Sequence, residues 1–99
     1  MNNTDYDYAA EVREVQERIN SGLAWQLEGS VGRHAMAMIE SGECMLGEYG
    51  CRDYWGNYVP SRYEVEEGTK GSASYCWQHA TSIAQEVHEA LAAEVGGVV

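Results

Sequence analysis

The sequence predicts a mainly α domain in which three helices pack together and a long aromatic-rich segment is inserted between the second and third. Two observations support this fold class. Three stretches of the chain carry apolar residues at intervals of three and four, which is the helical period. Between the last two lies a segment, residues 43–71, that contains the single proline, Pro60. Five of the ten aromatic residues fall within residues 49–63, and this segment cannot form one long helix.

The first helix is predicted for residues 4–21. Thr4 followed by Asp7 matches a capping box at its start. Ser21-Gly22 provides its end, because glycine adopts the left-handed conformation that commonly terminates a helix. One apolar stripe runs along the helix, with charged residues on the opposite side: Tyr8, Val12, Val15 and Ile19.

The second helix is predicted for residues 23–41, with Gly42 as its terminator. Two glycines, Gly29 and Gly32, weaken it by ~1 kcal/mol each relative to alanine. A break near Gly29-Ser30 is therefore the alternative. The glycines would also allow another element, such as the aromatic loop, to approach closely. The apolar stripe comprises Ala24, Leu27, Val31, Ala35 and Met38.

The third helix is predicted for residues 72–95. Ser72 or Ser74 is its N-cap, and Gly96-Gly97 ends it. The apolar stripe comprises Cys76, Ala80, Ile83, Val87 and Leu91.

The insert, residues 43–71, is predicted to be an irregular loop or a short β-hairpin. Gly56-Asn57 is typical of a two-residue turn, and it lies between the apolar pairs Tyr54-Trp55 and Tyr58-Val59. Pro60 restricts the second arm to an edge position or ends it.

Size and charge exclude several classes of protein. The 99 residues form one domain, and the formal net charge is −10, which repels phosphate backbones and anionic lipid. Direct nucleic-acid binding and membrane association are not expected. No apolar run approaches the ~20 residues that span a bilayer. The N-terminal sequence lacks signal-peptide features, and three cysteines fit reduced thiols, so a cytoplasmic location is expected.

Cys44, Cys51, Cys76 and His79 are candidate ligands of a metal ion. Three thiolates and one imidazole are an accepted zinc set, and Cys76 and His79 lie one helical turn apart. Six residues separate Cys44 from Cys51, which is more than the two to four that usually separate paired zinc ligands. Buried structural thiols are the favoured interpretation, and no cofactor is predicted. A catalytic pair of Cys51 or Cys76 with a histidine base (His34, His79 or His88) is formally possible. No sequence signature of a thiol enzyme surrounds any of these residues.

A contact surface is predicted around the aromatic core of the insert. Tryptophan, tyrosine and arginine dominate the energetics of protein interfaces. The competing interpretation is that the rings complete a core that alanine-rich helices cannot fill. The residues predicted to bind a partner are Trp25, Tyr54, Trp55, Asn57, Tyr58 and Arg62.

Five short blocks between Gly22 and Ser72, about half of the chain, form a recognisable pattern: Ala24 to Glu28, Gly32-Arg33, Asp53-Tyr54-Trp55-Gly56-Asn57, Val59 to Arg62 and Gly68 to Ser72. This pattern resembles small, acidic, uncharacterised proteins encoded by tailed phages of actinobacteria. Cys44 and Cys51 are not part of it. The resemblance implies a phage-encoded accessory protein acting in the host cytoplasm, and it transfers no catalytic residue.

The residue patterns predict a non-enzymatic protein that acts by protein–protein contact, and the resemblance implies that it is a phage accessory protein acting in the host cytoplasm. Its partner is a host protein or a second copy of the chain in a homodimer. The first alternative is an acidic mimic of nucleic acid that inhibits a host DNA-binding or defence protein. The second alternative is a small zinc-stabilised module.

Overall fold

The computed structural model describes residues 4–27 and 29–96, and the chain forms five α-helices and one antiparallel hairpin within them. Helices therefore dominate the described structure, as the sequence predicts. In chain order the elements are α1 (Thr4–Ser21), α2 (Leu23–Gln26), α3 (Gly29–Ser41), β1 (Cys51–Arg52), β2 (Tyr58–Val59), α4 (Ala73–His79) and α5 (Ser82–Gly96). None of the described helices is both long and apolar enough to cross a bilayer.

Helix α1 is the central element of the core, and its predicted bounds and apolar stripe are confirmed. Val12, Val15 and Ile19 are buried, and Tyr8 packs against them at the edge. The helix packs against α5, α2 and α3. Gly22 ends it at φ 85°, and its N–H donates to the carbonyl of Ile19. The predicted capping box depends on the Thr4 side chain, which lies outside the described part of the chain.

The predicted second helix is two helices. Leu27 is extended, with φ −85° and ψ 179°, so α2 ends at Gln26 and α3 begins at Gly29. The predicted alternative, a break near Gly29-Ser30, lies close to this point. Ala24, Ala35 and Met38 are buried as predicted, whereas the break leaves Leu27 exposed. A Cβ on Gly32 would lie 3.3 Å from the Ala24 carbonyl, so α2 is the element that approaches this glycine.

The predicted third helix is also two helices, which meet at Ala80-Thr81. Ser72 caps α4 by accepting from the Tyr75 N–H, which confirms one of the two predicted caps. Ala80 is extended (φ −66°, ψ 146°), and the Thr81 hydroxyl accepts from the Ala84 N–H to cap α5. Helix α5 ends at Gly96, and Gly97 lies outside the described residues.

The hairpin has only one of its predicted arms. Tyr58-Val59 is a strand, but its partner is Cys51-Arg52 rather than Tyr54-Trp55, with Cys51 opposite Val59. A five-residue connection replaces the predicted two-residue turn because the Asp53 side chain forms the turn. Its carboxylate accepts from the N–H of Trp55 at 2.9 Å and of Asn57 at 2.8 Å.

A buried connector, residues 42–47, carries the chain from α3 through the core toward the hairpin. Every residue in it is buried. Gly42 adopts φ 88°, and a Cβ there would lie 2.5 Å from the Cβ of His79, so only glycine fits. A buried loop needs partners for its backbone amides and carbonyls.

Core side chains and neighbouring backbone supply those partners. The Gln16 amide donates to the Met45 carbonyl at 2.9 Å, and its oxygen accepts from the Met45 N–H at 2.9 Å. The Cys44 N–H donates to the Met38 carbonyl, and the Leu46 N–H to the Gly71 carbonyl. Gln16 is only 2% exposed. Inside the core, its side-chain amide pairs with the Met45 backbone as the backbone of a neighbouring strand would.

Replacing Gln16 with alanine is expected to lower the free energy of unfolding by about 2–4 kcal/mol, because two buried backbone groups of Met45 lose their partners. Urea denaturation followed by circular dichroism measures the loss. Gln78→Ala in α4 is the matched control, since Gln78 is exposed, and it should change stability by less than about 0.5 kcal/mol. Equal stabilities of the two variants would contradict the role assigned to Gln16.

Candidate functional site

The hairpin tip, residues 53–57, is held rigidly and anchored to α2. The Tyr54 N–H donates to the Trp25 carbonyl at 2.9 Å, and the Asp53 N–H donates to the Asn57 carbonyl at 2.9 Å. The Arg52 guanidinium adds a bond to the Gly56 carbonyl. The exposed rings of the tip therefore stand on an ordered backbone.

The two rings of the tip, Tyr54 and Trp55, are among the most exposed large side chains of the described chain. Tyr54 is 69% exposed and Trp55 is 71% exposed, and their rings meet edge to face with centroids 5.3 Å apart. Their burial against another surface would remove a large apolar area from water.

An apolar cleft of about 240 Å³ lies between the hairpin and helices α2 and α3. Its lining includes the buried Trp25 (8% exposed), Trp55 and the exposed side chains of Leu27 and Met36. Gly29 and Gly32 also line the cleft, and Arg33 and Asp53 supply its charged groups. We call this surface the tryptophan cleft.

The structure separates the six residues predicted to bind a partner. Trp25 and Trp55 line the tryptophan cleft, and Tyr54 adjoins Trp55. Asn57 is exposed, but its amides bind Asp53 within the turn. Tyr58 is next to Val59, which lines the cleft, so their side chains point to opposite faces of the hairpin.

Arg62 lies apart from the cleft because its guanidinium fixes the insert to the core. It donates to the Leu46 carbonyl at 2.9 Å and to the Asn20 side chain at 3.1 Å. Tyr58 has a structural role as well. Its hydroxyl donates to the Glu64 carboxylate, which raises the pKa of Tyr58, and the Ser61 N–H and this hydroxyl lower the pKa of Glu64.

The structure does not bring the four candidate zinc ligands into one cluster. In the described part of the chain, no three His, Cys, Asp or Glu side chains group closely enough to hold an ion. Burial raises the pKa of Cys44 and of Cys76 to about 12 in each case, as expected of core thiols. Cys51 lies on β1, and the His79 ring stacks on Tyr75 at 4.1 Å.

Glu43 is a buried hub that the sequence did not reveal. Its carboxylate accepts from the Thr81 N–H at 2.7 Å, the Thr81 hydroxyl at 3.2 Å and the Tyr8 hydroxyl. Burial and this carboxylate raise the pKa of Tyr8. Its backbone carbonyl accepts from His88 Nε2 at 2.7 Å. A carboxylate directly after a helix-ending glycine is the only sequence signal, and it does not identify these partners.

His88 is buried beside a groove that sequence reasoning also missed. The groove, of about 610 Å³, lies between α1, the connector, Arg62-Tyr63, α4 and α5. Burial lowers the pKa of His88, and the Arg62 charge acts in the same direction, whereas the Glu43 carbonyl and carboxylate oppose the shift. His88 is therefore a neutral imidazole at neutral pH.

Comparison with protein-family models, with curated proteins and with solved structures gives no match to this chain.

Acidification should destabilise the fold through His88. Because its pKa is lowered on folding, the unfolded chain binds more protons below the usual histidine value of about 6.5, and stability falls as the pH drops through that value. Thermal unfolding between about pH 7.5 and pH 5.5, above the ordinary carboxylate range, measures this loss. In His88→Gln this loss of stability on acidification should be smaller. The control is His34→Gln, which removes an exposed imidazole and should retain the loss. An identical pH dependence in wild type and His88→Gln would contradict this.

Thiol labelling should distinguish the cysteines. Cys44 and Cys76 are fully buried and Cys51 is partly exposed. We expect iodoacetamide to alkylate native Cys51 more than about 100-fold faster than the other two, since thiolate and access are both required. Mass spectrometry locates the adducts, and the urea-unfolded chain, where all three should react alike, is the control. Similar native rates at Cys51 and Cys76 would contradict the described burial.

Proposed function

We propose that this protein is a non-enzymatic accessory protein of a phage that acts by binding a host protein through the tryptophan cleft. The observation that carries the proposal is the ordered, exposed pair Tyr54-Trp55 beside a cleft whose floor is Trp25. The phage origin and the host cytoplasm as its place of action are supported by the sequence resemblance.

Rigidity supports a binding role for the tip. Side chains that are mobile in the free protein lose conformational freedom on association, which costs affinity. Here Asp53 and the Trp25 carbonyl already hold the backbone under Tyr54 and Trp55. Such a preorganised pair of rings matches the residue types that dominate interface energetics.

The cleft favours one apolar side chain of the partner. A volume of about 240 Å³ is smaller than that of a drug-sized pocket and suits a single large aliphatic or aromatic group. Its charged groups, Arg33 and Asp53, would orient polar atoms next to that anchor.

Charge favours a basic partner over a second copy of the chain. Each chain carries a net charge of −10, so two copies repel each other at low salt. A positively charged host protein would instead be attracted before its apolar side chain enters the cleft. We therefore assign the cleft to a heterologous partner, and homodimerisation becomes an alternative that the test decides.

No contact among the described residues favours the nucleic-acid mimic. That function requires unpaired carboxylates arranged along one face. On α1 the carboxylates of Glu14 and Glu17 pair with Arg18 and Arg13. These pairs reduce the negative charge that the helix presents to a partner.

The test compares immobilised wild type with Trp55→Ala for retention of proteins from an actinobacterial lysate. Removing the central ring of the cleft should weaken partner binding by about 2 kcal/mol, or about 30-fold, since truncated interface tryptophans typically cost this much. Tyr49→Ala is the matched control, because Tyr49 is 79% exposed but does not line the cleft. A partner identified in this way is then titrated in purified form.

Three results would contradict the proposal: equal affinity of the purified partner for wild type and Trp55→Ala, equal loss in Tyr49→Ala, or a dimer in light scattering that Trp55→Ala dissociates. A steep fall of affinity with salt together with insensitivity to Trp55→Ala would favour the nucleic-acid mimic instead.

A further inference from the structure

We propose that the groove beside His88 is a second binding site, which takes an extended peptide segment carrying a basic residue next to an apolar one. We call it the histidine groove. It lies between α1 and α5 and is lined by Gln16, Glu48, Arg62, Tyr63, Trp77 and His88, among others. Its volume of about 610 Å³ is within the range of ligand sites in proteins.

His88 carries a hydrogen-bond acceptor that no described residue of the protein uses. His88 is 4% exposed, and its Nε2 must carry the proton because it bonds to the Glu43 carbonyl at 2.7 Å. In the neutral ring Nδ1 is then an acceptor, and it has no hydrogen-bond partner among the described residues. No fully buried side-chain nitrogen or oxygen in the described chain lacks a partner, so Nδ1 is not fully enclosed, and His88 lines the groove.

Arg62 supplies hydrogen-bond donors to the same groove. Arg62 and His88 line the same groove, and both are bonded to the connector, Arg62 at Leu46 and His88 at Glu43. The Nε–H and one Nη2–H of Arg62 are used by the Leu46 carbonyl and Asn20. Of five N–H donors on a guanidinium, the remaining three can serve a ligand.

An acceptor and a set of donors in the same groove match the peptide unit. A backbone amide offers one N–H, suited to His88 Nδ1, and one carbonyl, suited to the free N–H groups of Arg62. Both protein groups are held in place by bonds to the buried connector, at Glu43 and Leu46. Preorganisation of this kind reduces the entropic cost of binding.

The aromatic rings of the groove provide a place for an apolar side chain. Trp77 is 40% exposed and meets the His88 ring at 70° with centroids 6.4 Å apart. Tyr63 is 70% exposed, and Leu91 also lines the groove. An aliphatic side chain placed between these residues would cover apolar surface that is now in contact with water.

The charge of the groove selects a basic neighbour for that side chain. Among the described residues that line the groove, Glu17, Glu48 and Glu94 supply three carboxylates and Arg62 the one guanidinium. Glu17 and Glu94 pair with Arg13, whereas Glu48 is exposed and has no ion pair in the described chain. A lysine or arginine of the peptide would pair with Glu48, and an acidic peptide would be repelled.

The experiment titrates the full-length ¹⁵N-labelled protein with two blocked tripeptide amides, acetyl-alanyl-leucyl-lysine amide and its glutamate counterpart. We expect saturable shifts of the Trp77 indole and the His88 ring signals by the lysine peptide in the millimolar range, with at least about threefold weaker binding of the glutamate peptide. Saturable shifts at Trp55 instead would place the peptide in the tryptophan cleft and overturn the proposal.

Matched variants establish the contacts. Trp77→Ala should weaken the lysine peptide by about tenfold, whereas Gln78→Ala, on the same helix but outside the groove, should not. Glu48→Gln should reduce the preference for lysine over glutamate by about two- to fivefold. His88→Gln should weaken both peptides. If His88→Gln fails to fold, the test rests on Trp77→Ala and Glu48→Gln, because both change exposed side chains.

The proposal is overturned by an absence of saturable shifts in the groove, by equal binding of the two peptides, or by tighter binding of the glutamate peptide, which would indicate an anion site at Arg62. Trp55→Ala should bind the lysine peptide like wild type, because Trp55 does not line the groove. The histidine groove and the tryptophan cleft can therefore succeed or fail independently.

Discussion

The passage of the buried connector through the core is the constraint on which the other features depend. Residues 42–47 carry peptide groups into an apolar interior, where each unpaired donor or acceptor would cost about 1–3 kcal/mol. Gln16 satisfies Met45, and the backbone carbonyls of Met38 and Gly71 accept from Cys44 and Leu46. The acidic side chain that enters with the connector, Glu43, is satisfied by Tyr8 and Thr81. Polar groups thus specify how α1, α3 and the α4–α5 pair assemble around the connector.

This arrangement also explains where each surface lies. Because Glu43 binds the Thr81 N–H, that N–H is not available to continue α4, and the chain turns and starts α5 at Ser82. The turn brings His88 to the Glu43 carbonyl and Trp77 to its ring, at the edge of the histidine groove. On another part of the molecule, the break after Gln26 exposes Leu27 and gives the hairpin tip a carbonyl, that of Trp25, to bind. The tryptophan cleft and the histidine groove are consequences of two helix breaks.

The part of the fold that could be predicted is the part set by neighbours in sequence. The α1 stripe, the glycine ends at Gly22 and Gly42 and the Ser72 cap follow from helical periodicity and from local backbone preferences. Of the residues predicted to bind a partner, Tyr54 and Trp55 are exposed beside Trp25, whereas Tyr58 points to the opposite face of the hairpin and Arg62 lies apart from the cleft. The predicted hairpin register was wrong at β1. Gly56-Asn57 predicts a two-residue turn, whereas the Asp53 side chain forms a longer one, so that Cys51-Arg52 pairs with Tyr58-Val59.

By itself, the sequence determined the helical class of the protein, its acidic surface and a ring-rich segment held between helices. These properties depend on composition and on contacts within a few residues. Only the tertiary structure decided which polar groups enter the core and which rings remain outside. The bonds responsible join residues far apart in the chain: Gln16 to Met45, Glu43 to Thr81 and His88 to Glu43. Their energy is gained only when the surrounding helices have already excluded water, so no local pattern of residues records them.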